Sequence, residues 1–169
     1  MGLGLLGRGV GDAVFLAKAG ADLTVTDLKS EVSLEKSLRQ LRKFKNIRFV
    51  LGEHRLEDFK NADLVIKAAG VPLNSPFIEE AKKNGIEVTM STAFFARNTE
   101  ADVVGVTGTR GKSTVAYLLH AIVSAHKKTA GGKAFLGGNV LGVSTLAMLP
   151  KIKATDTAVL ELDSWQLQG

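Results

Sequence analysis

An α/β chain built on parallel sheets is the fold class this sequence predicts, and three observations carry the prediction. Short apolar runs rich in Val, Ile and Leu alternate with stretches of helical periodicity along the whole chain. Glycine-rich turns at residues 2–7 and 105–111 each open into a helical pattern. The run at 62–68 is apolar almost without interruption, as a strand covered on both faces must be.

The elements follow in order. Residues 9–19 read as a helix stopped by Gly20, and residues 23–26 as a short strand. Leu34, Leu38, Leu41 and Phe44 recur at helical spacing, which predicts a helix over 33–44. Strands are expected at 47–51 and 62–68. Ser75-Pro76 is a cap followed by proline at the first helical position, and that helix runs to Asn84-Gly85. A strand at 86–89 and a short helix at 92–97 complete the first unit. The polar residues 98–100 mark the expected boundary, giving units of 1–98 and 99–169. The second unit opens with a strand at 101–106, a helix through Val115, Leu118, Leu119 and Ile122, and a buried strand at 157–162. It has too few elements to cover a parallel sheet, and residues 2–7 form a strand-to-helix turn without its strand. The expectation is a piece of a longer protein, short of a strand in front and much more behind.

Composition narrows the function classes. Hydrophobic content of 45% and charged content of 23% suit a globular domain. The chain has 0 cysteines, which excludes disulfides, thiolate nucleophiles and cysteine metal sites. No apolar run reaches the ~20 residues of a membrane span, and no secretory signal opens the chain. A cytoplasmic location is expected. The net charge of +5 is concentrated around Lys36, Arg39, Arg42, Lys43, Lys45 and Arg48. No aromatics interleave there to stack bases, so the cluster reads as a solvated helix face rather than a nucleic-acid surface. His54, His120 and His126 are unclustered and are assigned structural or surface roles.

The most informative stretch is Gly105-Val-Thr-Gly-Thr-Arg-Gly-Lys-Ser-Thr114. Its order is strand, glycine loop, lysine, hydroxyl, helix. Glycines let amides turn toward phosphate, and the helix brings its positive end to the same place. Lys112 is placed to reach the β/γ-phosphates, and the Ser113 hydroxyl to sit on Mg²⁺. The spacing departs from a strict Walker A, which wants glycine where Val106 stands. A second motif, Gly2, Gly4 and Gly7 as G-x-G-x-x-G with Asp27 20 residues beyond Gly7, is the dinucleotide-binding fingerprint with its ribose acid. It makes the first unit Rossmann-like. A nucleotide-diphosphate substrate in the first unit and ATP in the second would account for both loops, whereas an NAD dehydrogenase has no need of the second.

Taken together, these residues resemble the Mur ligases, the ATP-dependent amino-acid-adding enzymes of peptidoglycan precursor synthesis. Residues 106–114 look like the family's phosphate loop, and Gly137-Gly-Asn139 like its Gly-Gly-Asn turn. Leu160-Glu-Leu-Asp-Ser-Trp-Gln-Leu167 is similar to the strand end that carries a magnesium-binding glutamate, in the version of the D-glutamate-adding type. The resemblance implies a Rossmann-like N-terminal domain followed by the start of a P-loop ATPase central domain. It implies ATP bound through Gly108, Thr109, Arg110, Gly111, Lys112, Ser113 and Thr114, with Mg²⁺ on Ser113 and Glu161 and the chemistry resting on Lys112 and Glu161. Leu5 and Leu6 would lie in the turn that holds UDP, Asp27, Leu28 and Lys29 near the uridine, and Asn139 on the UDP-sugar. The implied reaction joins D-glutamate to UDP-N-acetylmuramoyl-L-alanine through an acyl phosphate. The whole protein would act as a monomer, with this stretch inactive alone. Arg110, Asp163, Leu6 and Ala68-Ala69 depart from the commoner family residues. Another Mur-type or folylpolyglutamate-type ligase, or a non-catalytic NAD- or nucleotide-binding module, stays open.

Overall fold

Helix α1 (Arg8–Lys18) leaves the glycine turn directly, followed by strand β1 (Leu23–Asp27), helix α2 (Glu31–Leu38) and strand β2 (Ile47–Leu51). The structure is a computed structural model and describes residues 1–168. Helix α3 (Leu56–Lys60), strand β3 (Leu64–Ile66), helix α4 (Pro76–Lys83), strand β4 (Glu87–Thr89) and helix α5 (Ser91–Asn98) come next. Then follow strand β5 (Asp102–Val106), helix α6 (Lys112–Ala130), strand β6 (Ala134–Gly138) and strand β7 (Thr157–Glu161). The strands pair in parallel as β1-β2, β3-β4 and β5-β7-β6.

Residues 1–4 stitch the first two pairs together. The Gly2 amide donates to Thr26 O at 2.8 Å, and the Ala68 amide donates to Met1 O at 2.9 Å. The Met1 amino group reaches Ile66 O at 2.9 Å. The extended segment before the glycine turn therefore runs between β1 and β3, where a parallel fold places the strand that feeds a nucleotide-binding turn.

Packing explains the local structure. Helix α1 turns Val10, Ala13 and Ala17 inward, and small residues let it lie close to the sheet. Its core continues through Leu34, Leu38 and Leu41, at 0%, 1% and 0% exposure. The helix expected over 33–44 begins earlier, on Ser30, whose hydroxyl caps Ser33 N, and ends at Leu38. Turns at 39–43 replace its second half, with Leu41 N bonding Leu38 O and Phe44 N bonding Leu41 O. Those turns keep Leu41 and Phe44 on the core while redirecting the chain into β2. Ser75 precedes α4 without a side-chain capping bond, leaving Pro76 as its start signal. Strand β6 and helix α3 had no sequence prediction.

A second cluster joins the two halves. Phe95, Leu146, Met148, Ala158 and Leu160 are buried together, with Phe15 and Leu16 of α1 packed against them. Helix α6 buries only Ala116 and leaves Val115, Tyr117, Leu118 and Ile122 more than half exposed. Among the described residues no helix is long and apolar enough to cross a membrane.

Candidate functional site

The first glycine turn is built by backbone demands. Gly2 has φ 80°, and a Cβ there would come within 2.9 Å of Ala68 Cβ. Asp27, at the end of β1 and buried, organises the turn. Its Oδ2 accepts from the Gly4 amide and its Oδ1 from the Lys29 amide, each at 2.9 Å. Ser37 donates to Gly4 O at 3.0 Å from the far side. The acid read as a ribose ligand thus already holds two backbone amides, while Leu5, Leu6 and Leu28 stand half or more exposed beside it. Leu5, Leu6 and Lys29 line a cleft of ≈ 1190 Å³, and Asp27, Leu28 and Asn139 stand outside its lining.

The second loop leaves β5 and enters α6. Gly108 and Gly111 take φ 144° and 75°, and Gly111 is the residue before the first helical turn. Lys112 Nζ donates to Gly108 O at 2.9 Å, folding the lysine back over the loop. Thr107 through Gly111, Ser113 and Thr114 are exposed, so loop amides, the hydroxyls and the positive end of the 19-residue helix face solvent together.

Sheet register brings the rest to this loop. Glu161 ends β7, the central strand, opposite Val106 on one side and Gly138 on the other. Leu162 N bonds Val106 O at 2.8 Å, and Asn139 N bonds Glu161 O at 2.7 Å. Glu161 is 5% exposed as a residue, yet its carboxylate oxygens keep contact with solvent, and among the described residues they take part in no hydrogen bond or ion pair. A strand-end carboxylate free of protein partners, one strand from a phosphate-type loop, suits a hard cation.

Residues the sequence reading passed over tie the halves together. Arg8 donates through its guanidinium to Asn139 Oδ1. Ser144 Oγ donates to Asp12 Oδ1 at 2.6 Å. Burial pushes the Asp12 carboxyl above the usual carboxylate range, opposed by hydrogen bonds from Ser144 and Ser91, the Leu146 amide and the Arg8 charge. Arg8 follows Gly7 directly, so a donor in that first helical turn was legible as a candidate. Lys67, buried in the same cleft, was hidden inside an apolar run.

Comparison with known proteins bears on these loops. The profile described as "Mur ligase MurD-like, N-terminal domain" matches residues 1–90. The chain belongs to the Mur ligase family. Over the full chain it is 44% identical to the UDP-N-acetylmuramoylalanine–D-glutamate ligase of Borreliella burgdorferi strain ZS7, covering 36% of that protein. The Roseiflexus sp. ligase of the same name is 43% identical across 100% of the chain and 35% of its own length. The Treponema pallidum ligase is 43% identical over 99% of the chain and 31% of its own length. The chain thus spans about a third of the length of the curated relatives it matches. A pseudomurein peptide ligase type C from Methanothermus fervidus aligns with TM-score 0.45 at 26% identity, covering 92% of this chain and 30% of that one.

Proposed function

We propose that this chain carries the UDP-substrate-binding unit, over 1–98, and the opening of the ATP-binding unit, over 99–169, of a ligase that joins D-glutamate to UDP-N-acetylmuramoyl-L-alanine. The observation that carries it is the row Val106, Glu161 and Gly138, which sets the Glu161 carboxylate between a glycine–lysine–hydroxyl loop and the Asn139 turn. The names of the matching relatives support the substrates. In this reading the loop amides of 108–111 and Lys112 hold the ATP phosphates, while Ser113 and Glu161 hold Mg²⁺. ATP supplies the phosphoryl group that activates the substrate carboxylate. The protein's share is to position that carboxylate and to neutralise developing charge, which preorganised amides and a lysine do without reorganising. The glycine turn, with Asp27 holding its shape, seats the uridine diphosphate, and Asn139, oriented by Arg8, reaches toward the sugar. The protein is placed in the cytoplasm, where such nucleotide substrates are made, and acts as a monomer.

Binding separates this reading from an NAD-binding module. Titrating the 169-residue chain with UDP-N-acetylmuramoyl-L-alanine, MgATP and NADH, followed by Trp165 fluorescence and calorimetry, should show the first two binding and NADH not. Binding of NADH alone would overturn the reading. Incubating the chain with UDP-N-acetylmuramoyl-L-alanine, D-glutamate and MgATP should yield no product, because the amino-acid-selecting part is assigned to the remaining two-thirds of the relatives' length. Product formation would refute that assignment.

A further inference from the structure

Arg8 and Asp12 stand about one turn apart on α1, and both reach across to the segment 139–145 that follows β6. The Arg8 guanidinium donates to Asn139 Oδ1, and Asp12 Oδ1 accepts from Ser144 Oγ at 2.6 Å. Gly11 lets the segment lie this close, since a Cβ there would stand 2.4 Å from Ser144 Cβ. Gly142 Cα also lies against Gly7, the last residue of the glycine turn, 3.8 Å from where a Cβ would stand. The bonded partners are 131 and 132 positions apart, so these contacts join the first unit to the second. Arg8, Asp12, Gly138, Val143 and Thr145 all line the cleft, which makes this seam one of its walls.

The segment has little of its own to hold it. Among the described residues its one internal backbone bond runs from Val143 N to Val140 O, at 3.3 Å, and Leu141 is 71% exposed. Its two ends, by contrast, are tied to the strand row that carries Glu161. Asn139 N donates to Glu161 O at 2.7 Å. Thr145 Oγ1 accepts at 2.9 Å from the amide of Gly138, the residue paired with Glu161 across the sheet. Ser144, buried beside Thr145, accepts from the Ala147 amide at 3.1 Å, which leaves its own proton for Asp12. Hydrogen bonds therefore lead from α1, which begins on the glycine turn, through both ends of the segment to Glu161.

We propose that Asp12 and Ser144 are positioning residues, whose hydrogen bond holds the 139–145 segment so that the first-unit cleft and the Glu161 row are ordered together. The proposal rests on reading the cleft as the UDP-substrate site and the 105–114 loop as the MgATP site. The pair acts on the coupling of the two sites rather than by contact with either ligand. Whichever ligand binds first orders the segment. The second then binds with the segment already in place, which is positive coupling.

The test titrates the 169-residue chain by calorimetry with UDP-N-acetylmuramoyl-L-alanine and with MgATP, each alone and each with the other saturating. In the wild-type chain each ligand should tighten the other by one common factor, about 5-fold or more. Ser144→Ala should cut that factor to below about 2-fold while leaving each ligand's affinity alone within about 3-fold. Asp12→Asn keeps a carbonyl oxygen to accept from Ser144 and should retain most of the factor. Gly11→Ala, whose Cβ displaces Ser144, should lower it. A merely structural role predicts that Ser144→Ala weakens both ligands and leaves the factor intact, and that result would overturn the proposal. A factor lost as fully in Asp12→Asn as in Ser144→Ala would overturn the part given to this hydrogen bond. If Ser144→Ala fails to fold, an unchanged factor in Gly11→Ala overturns the proposal instead. Both ligands binding independently to the wild-type chain would overturn it while the two site assignments stand. Failure of either ligand to bind the wild-type chain would overturn those assignments and the proposal together.

Discussion

Replacing Gly11 by alanine sets two effects against each other at one position. Gly11 lies inside α1, where alanine should gain about 0.5–1 kcal/mol from backbone entropy. A Cβ at that position would meet Ser144 Cβ at 2.4 Å and its Oγ at 3.1 Å, well inside contact distance. Ser144 cannot simply rotate away, because the clash is with its Cβ. The 144 segment has to move, and it carries the Ser144 Oγ bonds to Asp12 Oδ1 and from the Ala147 amide. Disturbing a bond to a partly buried carboxylate costs about 1–3 kcal/mol, and overpacking adds a comparable amount. The tertiary term wins, and Gly11→Ala should destabilise the chain by about 1–3 kcal/mol in urea unfolding followed by circular dichroism. In the Ser144→Gly background the clash is gone and the helix gain remains, so the same substitution should stabilise by up to about 1 kcal/mol. The reversal of sign is the test. Gly11→Ala that is stabilising in the wild-type chain, or equally costly in both backgrounds, would refute the contact argument.

Other expectations follow from the same geometry. Glu161→Gln should leave stability within about 0.5 kcal/mol, since no protein partner is lost, while weakening Mg²⁺-dependent ATP binding by about 10-fold or more in calorimetry. An equal loss in stability and binding would mark Glu161 as a structural residue. Leu34→Ala should cost about 2–5 kcal/mol in urea unfolding, because the side chain is wholly buried in the first core and the cavity cannot collapse against β1. A cost below about 1 kcal/mol would mean that the α2 core is loosely packed. Asp12 gives a pH signature. An acid whose native pKa is raised binds its proton more tightly when folded, so its contribution favours the native state below its ordinary value of 3.8 and is lost as pH rises through the native pKa. Urea midpoints from pH 3.5 upward should therefore show the stability difference between Asp12→Asn and the wild-type chain drifting toward the variant as pH rises. A difference that does not change with pH would contradict the burial of that carboxyl.

Much of the fold was legible because its signals are local. Strand β2 falls on its sequence prediction, and the start of α4 is marked by Pro76. The glycine turns announced themselves through positions that only glycine occupies without strain, among them Gly7 and Gly111 before α1 and α6. Strand β6 was hidden by glycines 137 and 138, which weaken any strand pattern. They are present because a Cβ at 137 would meet Met148 Cε at 2.2 Å and one at 138 would meet Glu161 O at 2.1 Å. That reason lies in packing against residues ten or more positions away. The early end of α2 has the same character, since the apolar spacing of Leu41 and Phe44 is satisfied equally by turns that rest on the core.

The candidate site divides along the same line. The sequence alone determined the class of fold, the two glycine turns, the lysine and hydroxyl that open α6, and the strand that carries Glu161, because these depend on residue type at short spacing. Only the tertiary structure decided that Val106, Glu161 and Gly138 share one row, that Arg8 holds Asn139, and that Asp27 is spent on the Gly4 amide of the turn. Those relations join residues 23 to 131 positions apart. They are set by strand register and by contact between the two halves, neither of which leaves a periodic trace in the chain.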